Sequence, residues 1–369
     1  MKLLVLKENS LSESRVAITC ELVSKYQKLS VEVFVESGAG EKSIISDSDF
    51  ERAGAKIVTN ISEILSEIDV IISVQRNDID FSKTKAGVVF IALINPYFNQ
   101  EKVKYFVEKN VSAFALELLP SITRAQSMDV LSSQSNLAGY VAVIEAAGKM
   151  LKAIPMMMTA AGTIAAAKFM IVGAGVAGLQ AIATAKRIGA IVCAFDVRPS
   201  AKEQVQSLGA KFIEVKFAEK NDGVYASEVG AEYKKLQEDL LKQIVKSQDV
   251  LILTALIPGK KAPILISEEM VRSMRPGSVI VDIAAVNGGN CALTEVGKII
   301  EVEGVKIIGY ENFSSLVAED ASKLFAKNIF NFLEFLINKE NHSISINLED
   351  EIIRSTFLGP KPLLAQQNS

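Results

Sequence analysis

Three glycines and one acidic residue form the pattern in this sequence that most clearly predicts a ligand. Gly173, Gly175 and Gly178 have the spacing G-x-G-x-x-G, and Asp196 follows roughly 20 residues later, where a dinucleotide fold places an acceptor for ribose hydroxyls. The first glycine would allow a tight turn. The second would let the backbone approach a pyrophosphate, and the third would let a helix pack closely on its strand. The pattern therefore predicts a dinucleotide site with the phosphates at a helix N-terminus.

The segments around these residues have the order that such a site requires. An apolar run at Phe169–Val172 precedes the glycines, and a helical pattern follows over Leu179–Ile188. A second apolar run, Ala190–Phe195, then ends at Asp196. The acid favours NAD over NADP, because a 2′-phosphate would meet its negative charge. Arg198, two residues on, is interpreted as a solvated or loop-pairing arginine rather than as a ligand of that phosphate.

Composition restricts the class of protein. The 369 residues suffice for two domains, and the net charge of −3 predicts no nucleic-acid partner. Three scattered cysteines without a C-x-x-C pair indicate a reducing compartment and no disulfide framework. His342 is the single histidine, so no metal site and no histidine-dependent triad are expected unless it folds back onto the rest of the chain.

One weakly charged segment has to be distinguished from a membrane span. Lys168 is the only charge between Lys152 and Lys186, but Pro155 and several glycines interrupt the run. Because buried strands of a parallel sheet give similar runs, we predict no transmembrane helix. The N-terminal residues 1–7 are interpreted as a first strand rather than as a signal peptide.

Strand-like and helix-like runs alternate along the chain, which predicts an α/β protein. The expected fold is two doubly wound, mostly parallel-sheet, Rossmann-like domains joined by long helices. We place an N-terminal domain at residues 1–135, completed by 326–369, and the NAD(H)-binding domain at residues 136–325. The predicted strands are Lys2–Leu6, Val31–Glu36, Asp69–Val74, Val88–Leu93 and Val111–Leu118 in the first, and Phe169–Val172, Ala190–Phe195, Lys211–Val215, Val250–Leu256, Ser278–Ile283 and Lys306–Tyr310 in the second.

A polar segment, residues 121–136, separates the two predicted domains. It is dense in hydroxyl and amide groups and contains one acid, Asp129. The residue types alone favour a connecting loop, with Asn136 as the cap of a long helix over Leu137–Leu151. A charged stretch at Phe217–Gln243 is either a lid over the cofactor or a surface loop leading into an amphipathic helix. The turn-rich Pro258–Pro263 follows a predicted strand, where such sheets bind ligands.

Longer motifs resemble domain I, the NAD(H)-binding component, of proton-translocating nicotinamide nucleotide transhydrogenase. They are residues 124–140 (RAQSMDVLSSQSNLAGY), 155–162 (PMMMTAAG), 178–187 (GLQAIATAKR), 254–260 (TALIPGK) and 288–291 (GGNC). The resemblance implies NAD(H) on this chain, NADP(H) on a partner domain III, and a membrane domain II that couples hydride transfer to proton flow. It also implies a homodimer. With no visible transit peptide, we expect it on the cytoplasmic face of a bacterial membrane.

The resemblance also assigns roles within the polar segment. Gln126, Asp129 and Ser132 match the nicotinamide-side positions of the family and are the predicted catalytic residues. Gln126 is similar to the residue that bridges toward the second nucleotide, and the other two resemble the groups that orient the ring and its carboxamide. Hydride transfer between two nicotinamides needs positioning rather than acid–base chemistry, which fits amide, hydroxyl and carboxylate groups.

Two departures from the family accompany these matches. Ser121 stands where the family usually has an arginine, so one cofactor contact is missing, and Arg124 is the nearby candidate. Tyr225 matches the tyrosine of a loop that closes over the nucleotide, but Val224 replaces the usual glycine before it. The expected cofactor-binding residues are Gly173, Gly175, Val176, Gly178, Asp196, Val197, Tyr225, Gly259, Arg124 and Asn136.

Two other functions remain as alternatives. Alanine dehydrogenase shares the fold and the motif at Arg15–Thr19, but its chemistry needs a lysine, a histidine and an acid. The corresponding positions here read Gln75, Ile91–Asn95 without histidine, and Val286. Arg15 would either hold a substrate carboxylate or form a salt bridge that fixes the first domain. A non-catalytic NAD-binding regulator is the second alternative, although the retained polar segment argues against it.

Overall fold

The chain folds into two compact units. The computed structural model describes residues 1–76, 78–215, 226–257, 259–338 and 340–360, with the backbone alone over 226–232. The first unit comprises Met1–Gln134 and Ser314–Ser369, and the second comprises Ser135–Phe313. The return to the first unit thus precedes the last long helix, whereas the sequence-based boundary at 325/326 falls inside it.

The first unit is built on a six-stranded, fully parallel sheet with the order β3-β2-β1-β4-β5-β6. Its strands are β1 (Lys2–Val5), β2 (Glu32–Glu36), β3 (Lys56–Val58), β4 (Val70–Ile72), β5 (Val89–Ala92) and β6 (Ser112–Ala115). The central β4 and β5 are buried at every position, as strands covered on both faces must be. Edge strand β3 is short and partly exposed, so the apolar pattern does not predict it.

The second unit contains a hairpin and a seven-stranded sheet with the order β11-β10-β9-β12-β13-β15-β14. The strands are β7 (Met157–Thr159) and β8 (Gly162–Ile164) in the hairpin, then β9 (Lys168–Val172), β10 (Ile191–Phe195), β11 (Lys211–Ile213), β12 (Val250–Leu253), β13 (Val279–Asp282), β14 (Lys298–Val302) and β15 (Val305–Gly309). All pairs are parallel except β14 with β15. The sequence pattern misses β14 because this edge strand is largely exposed.

Helices cover both sheets. They are α1 (Cys20–Lys28), α2 (Asp47–Arg52), α3 (Gln100–Glu108), α4 (Val130–Lys149), α5 (Val176–Arg187), α6 (Ala201–Ser207), α7 (Ala226–Val245), α8 (Glu268–Arg272), α9 (Ala318–Leu336) and α10 (Glu351–Thr356). The predicted N-cap at Ser46 is confirmed, since Ser46 and Asp49 form a reciprocal capping box at the start of α2. Along the described chain, no helix combines the length and apolarity needed to cross a membrane.

Helix α4 corrects the prediction for the polar segment. It begins at Val130, seven residues before the predicted Leu137, so Asn136 lies inside the helix instead of capping it. Asp129 provides the start, because its carboxylate accepts a hydrogen bond from the Ser132 N–H at 2.9 Å. The first turn is also anchored by Val130, which is buried in the core of the first unit.

Each sheet reverses its strand order once, at β1/β4 in the first unit and at β9/β12 in the second. Open α/β sheets bind ligands just beyond the carboxyl ends of the strands at such a reversal. In the second unit these ends lead into Gly173 and Thr254. In the first unit they lead toward Glu8 and Val74. The topology therefore points to one candidate crevice in each unit.

Candidate functional site

The glycine loop follows β9 at the reversal of the second sheet. Gly173 has a φ of 98°, and its N–H donates to the Phe195 carbonyl at 2.8 Å. A Cβ on Gly178 would stand 1.9 Å from the carbonyl oxygen of Gly173, so only glycine lets α5 pack this closely on the loop. Among the described residues none has an atom within 4 Å of a Cβ built on Gly175. The two outer glycines thus hold the turn together, and the middle one faces open space.

The N-terminus of α5 is arranged to receive an anion. Gly175 is the N-cap, and no described side chain caps the helix there. The N–H groups of the first helical turn have no acceptor within their own helix, and the helix dipole adds positive potential at this end. Backbone donors, a partial positive charge and a position without a Cβ suit a pyrophosphate. Val176, the first helical residue, is 41% exposed beside this opening.

Asp196 ends β10, the strand next to the glycine loop. Its carboxylate accepts a hydrogen bond from the Ala174 N–H at 2.7 Å and is bound by the Arg198 side chain through two nitrogens, each at 3.0 Å. Burial raises the pKa of this carboxyl, but the hydrogen bonds from Arg198 and Ala174 lower it more, so the pKa lies below its ordinary value. Asp196 therefore stays ionised, and the prediction that Arg198 pairs within its loop is confirmed.

Loops after β12 and β13 complete the surroundings of the glycine loop. The Thr254 hydroxyl donates to the carbonyl of Gly173 at 3.0 Å. The fully buried Asn290 side chain accepts from the Ala255 N–H at 2.9 Å and donates to the carbonyls of Ala255 and Pro263 at 2.8 Å. It thereby fixes the loop that contains Gly259, whose φ is 68°.

Asp282 organises the next loop around Asn290. One oxygen accepts the Ala284 N–H at 3.0 Å, and the other accepts the N–H groups of Asn290 and Cys291 and the Thr294 hydroxyl at 2.7–3.0 Å. Burial raises the pKa of this carboxyl, although these donors oppose the shift. Thr254 and Asp282 are absent from the predicted site. A polar residue that ends a buried strand, the signal that identifies Asp196, would have found them.

Helix α4 approaches the glycine loop from within the second unit. A Cβ on Gly139 would stand 2.1 Å from the Ala177 carbonyl oxygen, so glycine is required where α4 meets the first turn of α5. Asn136, three residues earlier in α4, donates to the Gln180 side chain at 3.3 Å. This places Asn136 beside α5. Val197, next to Asp196, is exposed, and Tyr225 lies outside the described residues.

The polar segment of the first unit forms a 3₁₀ turn, Thr123–Met128, followed by α4. Ala125 and Met128 are buried in the core, and α9 holds the turn through the Asn328 and Asn331 side chains, which donate to the Ser127 carbonyl at 2.9 and 2.8 Å. Gln126 is exposed on the turn. The hydroxyl of Ser132 donates to Asp129, so these two predicted catalytic residues form one hydrogen-bonded pair.

Arg124 is engaged elsewhere in the first unit. Its guanidinium donates to the two carboxylate oxygens of Asp350 at 3.0 and 3.2 Å and lies over the Phe335 ring. The pair leaves 59% of the Arg124 side chain exposed. An exposed pair of this kind contributes about 0–1 kcal/mol, so it does not lock the arginine in place. Ser121 is exposed as well.

The crevice of the first unit is filled by the chain's own carboxylates. Glu8 follows β1, and its side chain accepts the N–H groups of Val74 and Arg76 after β4 at 2.7 and 2.9 Å. Burial raises the pKa of Glu8 to about 7. Close by in the sequence, Arg15 is buried and binds both oxygens of Glu13 at 2.6 and 2.8 Å. Of the two predicted roles for Arg15, the internal salt bridge is the one observed.

An open parallel sheet with a glycine turn, an uncapped helix N-terminus and a strand-terminal carboxylate at its reversal defines a dinucleotide-binding protein of Rossmann type. Family models agree with this class. "Alanine dehydrogenase/PNT, N-terminal domain" matches residues 4–138, and "Alanine dehydrogenase/PNT, C-terminal domain" matches residues 142–359. The chain belongs to the alanine dehydrogenase/PNT family.

Individual relatives narrow the similarity to transhydrogenase. The chain is 50% identical to the first of the chains that make up the NAD(P) transhydrogenase subunit alpha of Rhodospirillum rubrum, over 96% of this chain and 95% of that protein. A solved structure of transhydrogenase from Sinorhizobium meliloti matches with a TM-score of 0.87 and 46% identity, over 98% of this chain and 99% of that one. An L-alanine dehydrogenase structure has a TM-score of 0.75 at 22% identity, over 90% and 89%, which shows a shared fold. The predicted fold class and the resemblance to transhydrogenase are both confirmed.

Proposed function

We propose that this chain is the NAD(H)-binding component of a proton-translocating NAD(P) transhydrogenase, in which hydride passes directly from NADH to NADP⁺ held on a partner domain III. The uncapped N-terminus of α5 beside Asp196 is the observation that carries the proposal, because it offers donors to a pyrophosphate and an acceptor to a ribose. The relatives named NAD(P) transhydrogenase supply the reaction.

In this mechanism the chain binds and orients the cofactor. The backbone around Gly175 receives the pyrophosphate, Asp196 accepts the adenosine ribose hydroxyls, and the exposed Val176 and Val197 provide apolar contact. Gly173, Gly178 and Gly259 shape the loops that hold these groups. Bound NADH supplies the hydride. Because hydride transfer requires close approach of two rings and no proton donor, the protein's task is positioning and the exclusion of water.

We assign the nicotinamide end to Gln126, Asp129 and Ser132. The Ser132 hydroxyl and its N–H both donate to Asp129, which fixes the carboxylate against the start of α4. A fixed carboxylate and hydroxyl are suited to hold a carboxamide and ring in one orientation. The exposed amide of Gln126 remains available to the second nucleotide. Tyr225 keeps its proposed role in closing over the nucleotide, and Arg124 and Asn136 their proposed cofactor contacts.

Alanine dehydrogenase chemistry is disfavoured by the first unit. A 2-oxo acid needs a free cation for its carboxylate, but the buried Arg15 is bound bidentately by Glu13. The backbone donors of Val74 and Arg76, which would also suit an anion, are taken by Glu8. Binding a substrate there would leave two buried carboxylates without their partners, which is costly.

The proposed assembly includes an NADP(H)-binding domain III and a membrane domain II, with this chain on the inner face of the cytoplasmic membrane. We also propose a homodimer. The hairpin β7–β8 presents Met156, Met157, Met158 and Ile164 to solvent, and no charged residue lies between Lys152 and Lys168. An uncharged, exposed apolar ribbon of this kind is typical of a surface that is buried in an assembly.

Calorimetry with NADH and NADPH, followed by mixing with a separately prepared transhydrogenase domain III, tests the proposal. We expect NADH to bind the chain more tightly than NADPH, and hydride transfer from NADH to a thio-analogue of NADP⁺ to appear only after mixing. Failure of NADH to bind would contradict the proposal. NADH oxidation by the chain alone with pyruvate and ammonium would replace it with alanine dehydrogenase activity.

A further inference from the structure

The Asp196 carboxylate is already saturated with donors. A carboxylate offers about four acceptor positions. Oδ1 accepts the backbone N–H of Arg198 at 2.8 Å and its Nε at 3.0 Å, and Oδ2 accepts the N–H of Ala174 at 2.7 Å and Nη2 of Arg198 at 3.0 Å. The two O–H donors of a ribose can therefore reach Asp196 only by displacing donors that are now bound.

Two of these four donors can leave and two cannot. The N–H groups of Ala174 and Arg198 belong to backbone that the loops hold in place. The other two donors sit on the Arg198 guanidinium, whose side chain is 59% exposed, while that of Asp196 is 6% exposed. An exposed arginine exchanges its protein partner for water at little cost. The guanidinium therefore occupies the place that ribose hydroxyls must take.

We propose that Arg198 is a specificity-determining gate over the ribose acceptor, an inference that rests on the proposed NAD(H) site at Asp196. When the adenosine ribose of NAD(H) binds, its two hydroxyls replace Nε and Nη2, and the guanidinium swings away. The displaced cation remains tethered two residues from Asp196. A 2′-phosphate, as in NADP(H), would meet this cation as well as the carboxylate, so Arg198 offsets part of the repulsion. Arg198 thus weakens NAD(H) binding and reduces the discrimination against NADP(H).

Substitution Arg198→Ala in the full chain tests the gate by calorimetry with NADH and NADPH. If the gate is open for roughly a tenth to a third of the time, its removal tightens NADH binding about three- to tenfold. NADPH binding becomes weaker, so the ratio of the two affinities rises by more than that factor. Lys202→Ala is the matched control, because it removes the same charge nearby from a lysine that pairs with Glu214 at 2.7 Å. The control should leave the ratio unchanged.

Three results would overturn the gate. Weaker NADH binding in Arg198→Ala would mean that the arginine supports the nucleotide directly. An equal change for both nucleotides would mean that it does not discriminate at the 2′ position. Unchanged binding would mean that it does not compete with the ribose. Asp196→Asn separates these from failure of the proposed site. If NADH binding survives Asp196→Asn undiminished, the ribose contact itself is wrong and the gate falls with it.

Discussion

Substitutions at two glycines of the same loop should separate the stability of the fold from nucleotide binding. An added Cβ at Gly178 would stand 1.9 Å from the Gly173 carbonyl oxygen, against an ordinary contact of at least 3.4 Å. Helix α5 and the loop would have to move apart by roughly 1.5 Å. Overpacking of this kind costs about 1–3 kcal/mol. For a unit of this size, Gly178→Ala should lower Tm by roughly 2–4 °C per kcal/mol.

Gly175→Ala should behave in the opposite way. Gly175 has a φ of −79°, which alanine adopts without strain, and its Cβ would enter open space. We therefore expect an unfolding free energy within about 1 kcal/mol of the parent chain. The methyl group would instead stand between a pyrophosphate and the helix N-terminus. Losing one hydrogen bond to a charged group costs about 1.5–3 kcal/mol, which is roughly a 10- to 150-fold weaker affinity for NADH.

The assay pairs thermal unfolding with NADH calorimetry on the same preparations. Gly148→Ala is the control, since Gly148 lies near the end of α4 and its Cβ would also have no neighbour within 4 Å among the described residues. It should leave NADH binding unchanged. Unimpaired NADH binding by a stable Gly175→Ala chain would refute the position assigned to the pyrophosphate. A Gly178→Ala chain as stable as its parent would refute the close packing of α5.

Three further predictions concern other regions of the chain. Burial raises the pKa of Glu8 from 4.5 to about 7, so the stability it contributes is complete below pH 4.5 and is lost as the pH rises through 7. Denaturant unfolding across this range should show a difference of about 3 kcal/mol between the parent chain and Glu8→Gln, and parallel curves would contradict the burial of the carboxyl. Asp282→Asn should lower the unfolding free energy by about 2–3 kcal/mol, because its four donors cannot all be satisfied by an amide. Met158→Glu should shift the chain toward monomer in sedimentation without changing NADH affinity, and an unaltered dimer would exclude the hairpin as the interface.

The glycine loop is the region of the site that residue types predict best. Its three glycines are distinguished by local sterics, and each meets a constraint that a short stretch of sequence contains: a positive φ at Gly173 and a backbone contact at Gly178. Asp196 is equally accessible, because it ends a continuous apolar run. Edge strand β14 and the hairpin are missed, since their exposed residues lack a buried strand's apolar pattern.

Other features depend on partners that are distant in sequence. The start of α4 at Val130 follows from the Asp129 cap and from burial in a core completed by α9, some 190 residues later in the chain, so polar composition alone predicts a loop. Asn290 fixes the Ala255 backbone 35 residues away. Glu8 fills the donors after β4, 66 residues away. No local pattern indicates these pairings, because they arise only when the sheets have formed.

The carboxylate of Glu8 also sets the stoichiometry of the molecule. Two sheets with the same reversal of strand order would, by topology, offer two nucleotide sites in each chain. In the first unit the backbone donors at the reversal are already occupied from within, whereas in the second the helix N-terminus at Gly175 is left open. A titration of one chain should therefore reach equivalence at a single NADH, and phosphate or sulfate in the buffer should compete for that one place.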